Sequence, residues 1–151
     1  PGRLSAASRW EIRVRIFWDA NIVVDLVDQA RPGHGDALTI LKSANQRADT
    51  NLCAWHTLSI LSYLCSRKFG RESADEIIQE LLNVFEIPAT GNREARRAFT
   101  YNFCDYEDAL QISSAVAGYA DCIVTLDTKG FRQSPITVLL PKDAISLLRK
   151  R

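Results

Sequence analysis

Short apolar strands alternating with amphipathic helices predict an α/β domain, an open parallel sheet with helices on both faces. Three stretches carry that expectation. Ile12–Trp18 (IRVRIFW) alternates and is rich in β-branched and aromatic residues. Cys122–Leu126 is a continuous apolar run, and between the two Ala74, Ile77, Ile78, Leu81, Leu82 and Phe85 keep a helical period. A chain of 151 residues has the size of one domain. Residues 1–11 contain no apolar run suited to a signal and read as a leader or appended remnant outside the fold, leaving 12–151 as the domain.

The first strand, Ile12–Trp18, runs into Asp19-Ala20-Asn21 and a short helix over Ile22–Val27. Arg31–Gly35 is a turn, and because its GxG follows no strand a dinucleotide loop is not indicated. From Asp36, the residues Ala37, Ile40, Leu41, Ala44 and Ala48 share one helical face. Thr50–Trp55 reads as the second strand, and His56–Ser66 as a helix packing Leu58, Leu61 and Leu64 before Phe69-Gly70 closes it. The next helix has Ser73 as N-cap and Glu76 as the other half of a capping box. A strand at Phe85–Ile87 ends at Pro88, and Asn92–Phe99 forms a basic helix. Asp105–Tyr119 is a helix with Ala109, Ile112, Ser113, Val116 and Ala117 inward. The strand Cys122–Leu126, the turn Asp127–Gly130, the strand Ile136–Leu140 and a helix over Pro141–Arg149 complete the fold.

Nineteen basic and eighteen acidic side chains nearly cancel, so charge alone points to no class of partner. No apolar run approaches the roughly 20 residues of a membrane helix. Cys53, Cys65, Cys104 and Cys122 form no CxxC pair, which removes zinc-ribbon and thioredoxin readings and leaves reduced thiols of a cytoplasmic protein.

The acids are more telling. In an open parallel sheet, ligands bind beyond the carboxyl ends of the strands. Asp19 ends the first strand, Asp127 follows the Cys122–Leu126 strand, and Asp108 lies in the first turn of the helix leading into it, beside Asp105 and Glu107. Carboxylates gathered at one edge repel unless a cation neutralises them, and Mg²⁺ takes such oxygen ligands. Each acid also has a structural reading. Asp19 can be a helix N-cap, Asp105 and Asp108 an acidic capping pair, and Asp127 the first residue of a type I turn.

These residues resemble a known family. RIFWDANIVVDLV is similar to the opening motif of PIN domains, a strand ending in Asp followed by x-Asn. DYEDALQISSAVAGYADCIVTLDTKGF resembles their second half, a D-A-L helix and an apolar strand ending in Thr, then Asp and Phe. The likeness runs from about Arg13 to Leu148 and is strongest to small stand-alone bacterial proteins akin to the VapC-like toxins of VapBC modules. It implies a single PIN-like domain with a five-stranded parallel sheet, Mg²⁺ or Mn²⁺ at clustered acids, and metal-dependent cleavage of RNA. By this resemblance Asp19, Asp108 and Asp127 are catalytic metal ligands, supported by Asn21 and Thr125; Asp105 as a further ligand, or Glu107, can add a carboxylate from the neighbouring helix. A small antitoxin and a second copy of the chain are the implied protein partners. One position departs: the helix after the second strand carries Ile60 where full sites carry Glu.

Lys129 and Arg132 follow Asp127 closely and suit phosphate contacts, which position a backbone without reading sequence. Arg93, Arg96 and Arg97, like Arg67, Lys68 and Arg71, form basic clusters that suit either RNA or a solvated surface. His56 ends the second strand on the same edge, where a satisfied or exposed ring is the plainer expectation. The leading expectation is therefore a metal-dependent ribonuclease. The alternatives are a weakened PIN fold that binds RNA or protein, which Ile60 favours, and a phosphotransfer domain, which Asn21 disfavours by standing where a second acid is wanted.

Overall fold

The computed structural model describes residues 12–101 and 105–150, so the expectations for Pro1–Glu11 and for Cys104 lie outside the described residues. Five strands, β1 (Arg15–Trp18), β2 (Thr50–Leu52), β3 (Phe85–Glu86), β4 (Cys122–Val124) and β5 (Thr137–Leu139), form one sheet. Its order is β3-β2-β1-β4-β5 and every pairing is parallel. The helices are α1 (Ala20–Val27), α2 (His34–Gln46), α3 (Trp55–Phe69), α4 (Arg71–Val84), α5 (Asn92–Arg97), α6 (Tyr106–Ala117) and α7 (Pro141–Lys150), with a 3₁₀ turn at Ala98–Thr100. The expected α/β architecture holds.

Strand alternation sorts the core into two faces. Ile16 and Trp18 of β1 and Cys122 and Val124 of β4 pack with Ile22 and Val23 of α1, Ile40 and Ala44 of α2, Leu61 of α3 and Leu81 of α4. Phe17 and Ile123, one residue out of step, face the other way onto Ile112 and Ala115 of α6, with Phe131. Buried on both faces, the central strands carry no polar alternation, as parallel strands require. Two polar groups are admitted with partners. The Trp18 indole N–H donates to Asn51 Oδ1 at 3.0 Å, and Asp49 Oδ1 accepts the Val14 N–H at 2.8 Å.

Several boundaries differ from expectation. β1 begins at Arg15 because Asp49 takes the Val14 N–H in place of a strand partner, and Ile12 is exposed. β2 stops at Leu52, since Trp55 already opens α3. Ala48 leaves the α2 face, standing beyond that helix in a left-handed conformation with φ 57°. Leu64 is exposed rather than packed. The capping box expected at Ser73 is absent: α4 begins at Arg71, and Gly70 (φ 88°) both ends α3 and starts α4. A single left-handed glycine makes the corner where two caps were expected.

The buried Trp18–Asn51 bond yields a test. Asn51→Leu keeps the bulk but strands the indole N–H, which costs about 1–3 kcal/mol. Chemical denaturation should show a loss of that size with an unchanged slope.

Candidate active site

The sheet order reverses between β1 and β4, because the chain builds outward through β2 and β3 on one side and through β5 on the other. Crevices beyond the carboxyl ends of strands at such a reversal are where open α/β sheets bind ligands. Asp19 and Thr125 are the residues these two strands deliver there. The Asp19 N–H extends the ladder to Val124 O at 3.0 Å, and the Thr125 N–H reaches Leu139 O at 3.0 Å.

Asp19 is buried, and each of its carboxylate oxygens accepts one bond. Thr125 Oγ1 donates to Oδ2 at 2.7 Å, and Gln111 Nε2 donates to Oδ1 at 2.9 Å. The Thr125 hydroxyl in turn accepts the Asp127 N–H at 3.0 Å, so its only proton is committed to Asp19. Gln111 Oε1 accepts the Ala20 N–H at 2.9 Å, which fixes the amide with its NH₂ toward Asp19. Asp19 occupies the N-cap position of α1 yet makes no capping bond. Burial raises its pKa against the lowering effect of the Thr125 and Gln111 bonds.

Asp108 stands half-buried in the first turn of α6, with its pKa raised to about 6. Burial is the largest cause, followed by the charges of Asp19, Asp105, Asp127 and Glu107, all of one sign. Glu107 is raised by burial and then by Asp105 and Asp19. Asp105 is the N-cap of α6, its Oδ1 accepting the Glu107 N–H at 2.8 Å, so its structural reading holds while its charge still bears on Asp108. Asp127 also keeps its turn role, accepting the Gly130 N–H at 3.1 Å. Its other oxygen faces Asp108: a β-carbon at Gly130 would sit 2.4 Å from Asp108 Oδ2 and 2.8 Å from Asp127 Oδ2. Gly130 is thus the residue whose missing side chain leaves a cradle between two carboxylates, and buried Phe131 holds that loop in place.

None of the ion pairs among the described residues involves these acids. Asp19, Asp105, Glu107, Asp108 and Asp127 therefore share one edge without a counter-cation. Among the described residues no three His, Cys, Asp or Glu side chains are placed to hold a metal ion together. Hard oxygen donors, an excess of negative charge and the cradle at Gly130 nevertheless fit Mg²⁺ or Mn²⁺. Asn21, Lys129 and Arg132 are all exposed nearby in sequence. Ile60 is half-buried on α3 and belongs to neither apolar cluster.

Sequence reading missed Gln111, although a lone amide on an otherwise apolar helical face, three residues after Asp108, was a visible signal. It also gave no role to Glu94, which is buried and bonded to the Gly91 N–H and to Arg93. His56 is neither satisfied nor exposed: its Nε2 is buried without a hydrogen-bond partner.

Residues 15–129 match the model of the PIN domain family, more than half of the chain. The chain belongs to the PIN domain family. A ribonuclease VapC1 of Aquifex aeolicus is 27% identical over 134 residues, covering 85% of this PIN domain chain and 92% of the relative. Among solved structures, VapBC-1 of nontypeable Haemophilus influenzae superposes with TM-score 0.67 at 14% identity, covering 85% and 99% of the two chains. VapBC2 of Rickettsia felis, bound to a promoter DNA fragment, gives 0.63 at 19%, covering 84% and 98%. VapC20 of Mycobacterium tuberculosis, described as a sarcin-ricin loop cleaving toxin, gives 0.63 at 15%, covering 78% and 93%. These neighbours share the fold of this PIN domain.

Burial of Asp108 among like charges makes stability depend on pH. A carboxyl whose folded pKa is raised to about 6 holds its proton more tightly in the folded chain. Its contribution to stability is present below about pH 4, the unfolded value, and is lost as pH rises through 6. In chelator, the melting temperature of the parent should fall across that window, and Asp108→Asn should flatten the fall. Thermal melts at stepped pH read the difference.

Proposed function

We propose that this PIN domain is a Mg²⁺- or Mn²⁺-dependent endoribonuclease and the toxin of a toxin–antitoxin pair. The observation that carries the reading is the gathering of Asp19, Asp108 and Asp127 at the strand-order reversal with no cation of the protein's own beside them. The relative named a ribonuclease and the neighbour described as cleaving the sarcin-ricin loop support the RNA substrate. Neighbours solved as VapBC complexes support an antitoxin partner. A homodimer is proposed by the same resemblance. Among the described residues no helix is long and apolar enough to cross a membrane. The buried Cys53 and Cys65, both free thiols, fit a cytoplasmic setting.

Asp19, Asp108 and Asp127 would hold the ion, with Asp105 as an outer carboxylate. Bound there, it would lower the pKa of a water and neutralise the oxygens of the phosphodiester. The chain's own groups do the rest. Thr125 and Gln111 keep Asp19 oriented, one donor on each carboxylate oxygen. Glu107 adds negative charge, and Asn21 stands at the crevice rim. Lys129 and Arg132 receive the RNA phosphates on the loop that Phe131 anchors.

Asp19→Asn should abolish Mn²⁺-supported RNA cleavage, by at least about 100-fold, since a ligand and its charge are both lost. The fold should survive: the amide keeps one acceptor oxygen, so only one of the Thr125 and Gln111 bonds is lost, about 1 kcal/mol. Unaltered cleavage by the folded variant would defeat the proposal.

Ile60 favours a second reading, a weakened site that binds without cutting. Being outside both apolar clusters, Ile60 should accept Glu at little cost in melting temperature. Calorimetry of Ile60→Glu should then show tighter Mn²⁺ binding, with faster cleavage in parallel. No gain in affinity would remove Ile60 from the account of the site.

A further inference from the structure

We propose that the cleft at the end of β2, walled by Trp55, His56, Glu94, Leu110 and Ser114, receives an unpaired nucleobase of the single-stranded RNA substrate. This rests on the ribonuclease reading above. The cleft has a volume of about 380 Å³, within the range of small-molecule sites. Leu110 and Ser114 of its wall lie on α6, the helix that carries Asp108, and Trp55 opens α3 directly after β2, the neighbour of β1.

Its walls have the chemistry of base recognition. Trp55 is 73% exposed, whereas Trp18 is fully buried. An indole left in water at the mouth of a cleft gains by covering its face, and every base offers a π-face to stack on it. His56 Nε2, buried and without a partner, is an unmet polar group that a base edge can meet. Burial holds its ring toward the neutral form, which can donate or accept. Glu94 keeps its carboxylate oriented through the Gly91 N–H at 2.9 Å and the Arg93 guanidinium at 2.8 Å, leaving lone pairs for an exocyclic amine. The helix that supplies Glu94 also bears Arg93, Arg96 and Arg97, all exposed, so the cleft is bordered by cations suited to the phosphates on either side of the base.

The test measures binding of a fluorescein-labelled ten-nucleotide single-stranded RNA to the full chain by polarisation. Chelator is present so that binding is read without cleavage. Trp55→Ala should weaken binding about ten-fold, the size of one base–aromatic stack. Trp55→Leu, which keeps bulk without a π-face, should behave likewise, and Trp55→Phe should lose less than about three-fold. His56→Ala should weaken binding further in the Trp55→Phe background. Binding by Trp55→Ala equal to the parent's, or no binding of the probe by the parent, overturns the proposal. So does a change from dimer to monomer by light scattering in Trp55→Ala, which would assign the indole to a second copy of the chain. Cleavage separates this from the broader reading. Normal Mn²⁺-supported cleavage in Trp55→Ala rejects the base site and leaves the ribonuclease standing. Trp55-dependent RNA binding by a parent that never cuts RNA leaves the base site and rejects the ribonuclease.

Discussion

A carboxylate placed at the join of two buried parallel strands, with no basic side chain to meet it, is the constraint around which this molecule is arranged. Burying a charge without partners is costly. Asp19 is kept from that cost by two neutral donors, Thr125 from the adjoining strand end and Gln111 from α6. Those two bonds tie together the first strand, the fourth strand and the helix between them in sequence, so the same contacts that make the acid tolerable also set the crevice walls. The Thr125 hydroxyl passes the constraint on to the Asp127 N–H, and Asp127 passes it to Gly130. A side chain at Gly130 would displace two carboxylate oxygens, one of Asp108 and one of Asp127.

Repulsion sets the resting state of the site. The pKa of Asp108 is raised to about 6, first by its burial and then by the charges of four neighbouring acids. The stability the acids forgo is supplied by the two apolar clusters on either side of the sheet, which involve none of them. Packing and chemistry are thus separated in space: the strands carry the core, and the residues just past their carboxyl ends carry the charge. Such a separation is how one fold hosts varied sites.

Much of this was legible in the chain. Strand runs ending in Asp19 and preceding Asp127 announce both the sheet and its acidic edge, because a parallel strand buried on both faces cannot hold a carboxylate until it ends. Asp105 and Asp127 show why single acids were ambiguous, since each fills its ordinary capping or turn role while contributing charge to the site. Gln111 stood out as a lone amide, yet neither its role nor that of Glu94 was legible, for a different reason. Their roles depend on which element lies opposite, and a helical period reports a face without reporting its partner. The corner at Gly70 was missed because one left-handed residue can end one helix and start the next, which no capping pattern encodes. Ile60, read as a departure from the family pattern, lies outside both clusters and so apart from the ordinary core.

The central claim is that the crevice between Asp19, Asp108 and Asp127 is shaped for a divalent cation that the protein does not replace with a side chain. Crystals grown with Mn²⁺ and measured at the manganese absorption edge address it directly, since anomalous scattering locates the ion independently of any assumed ligand. The account predicts a peak in contact with all three carboxylates, beside Gly130. A structure with the ion bound elsewhere, or with the three acids apart and no peak between them at saturating Mn²⁺, would contradict it.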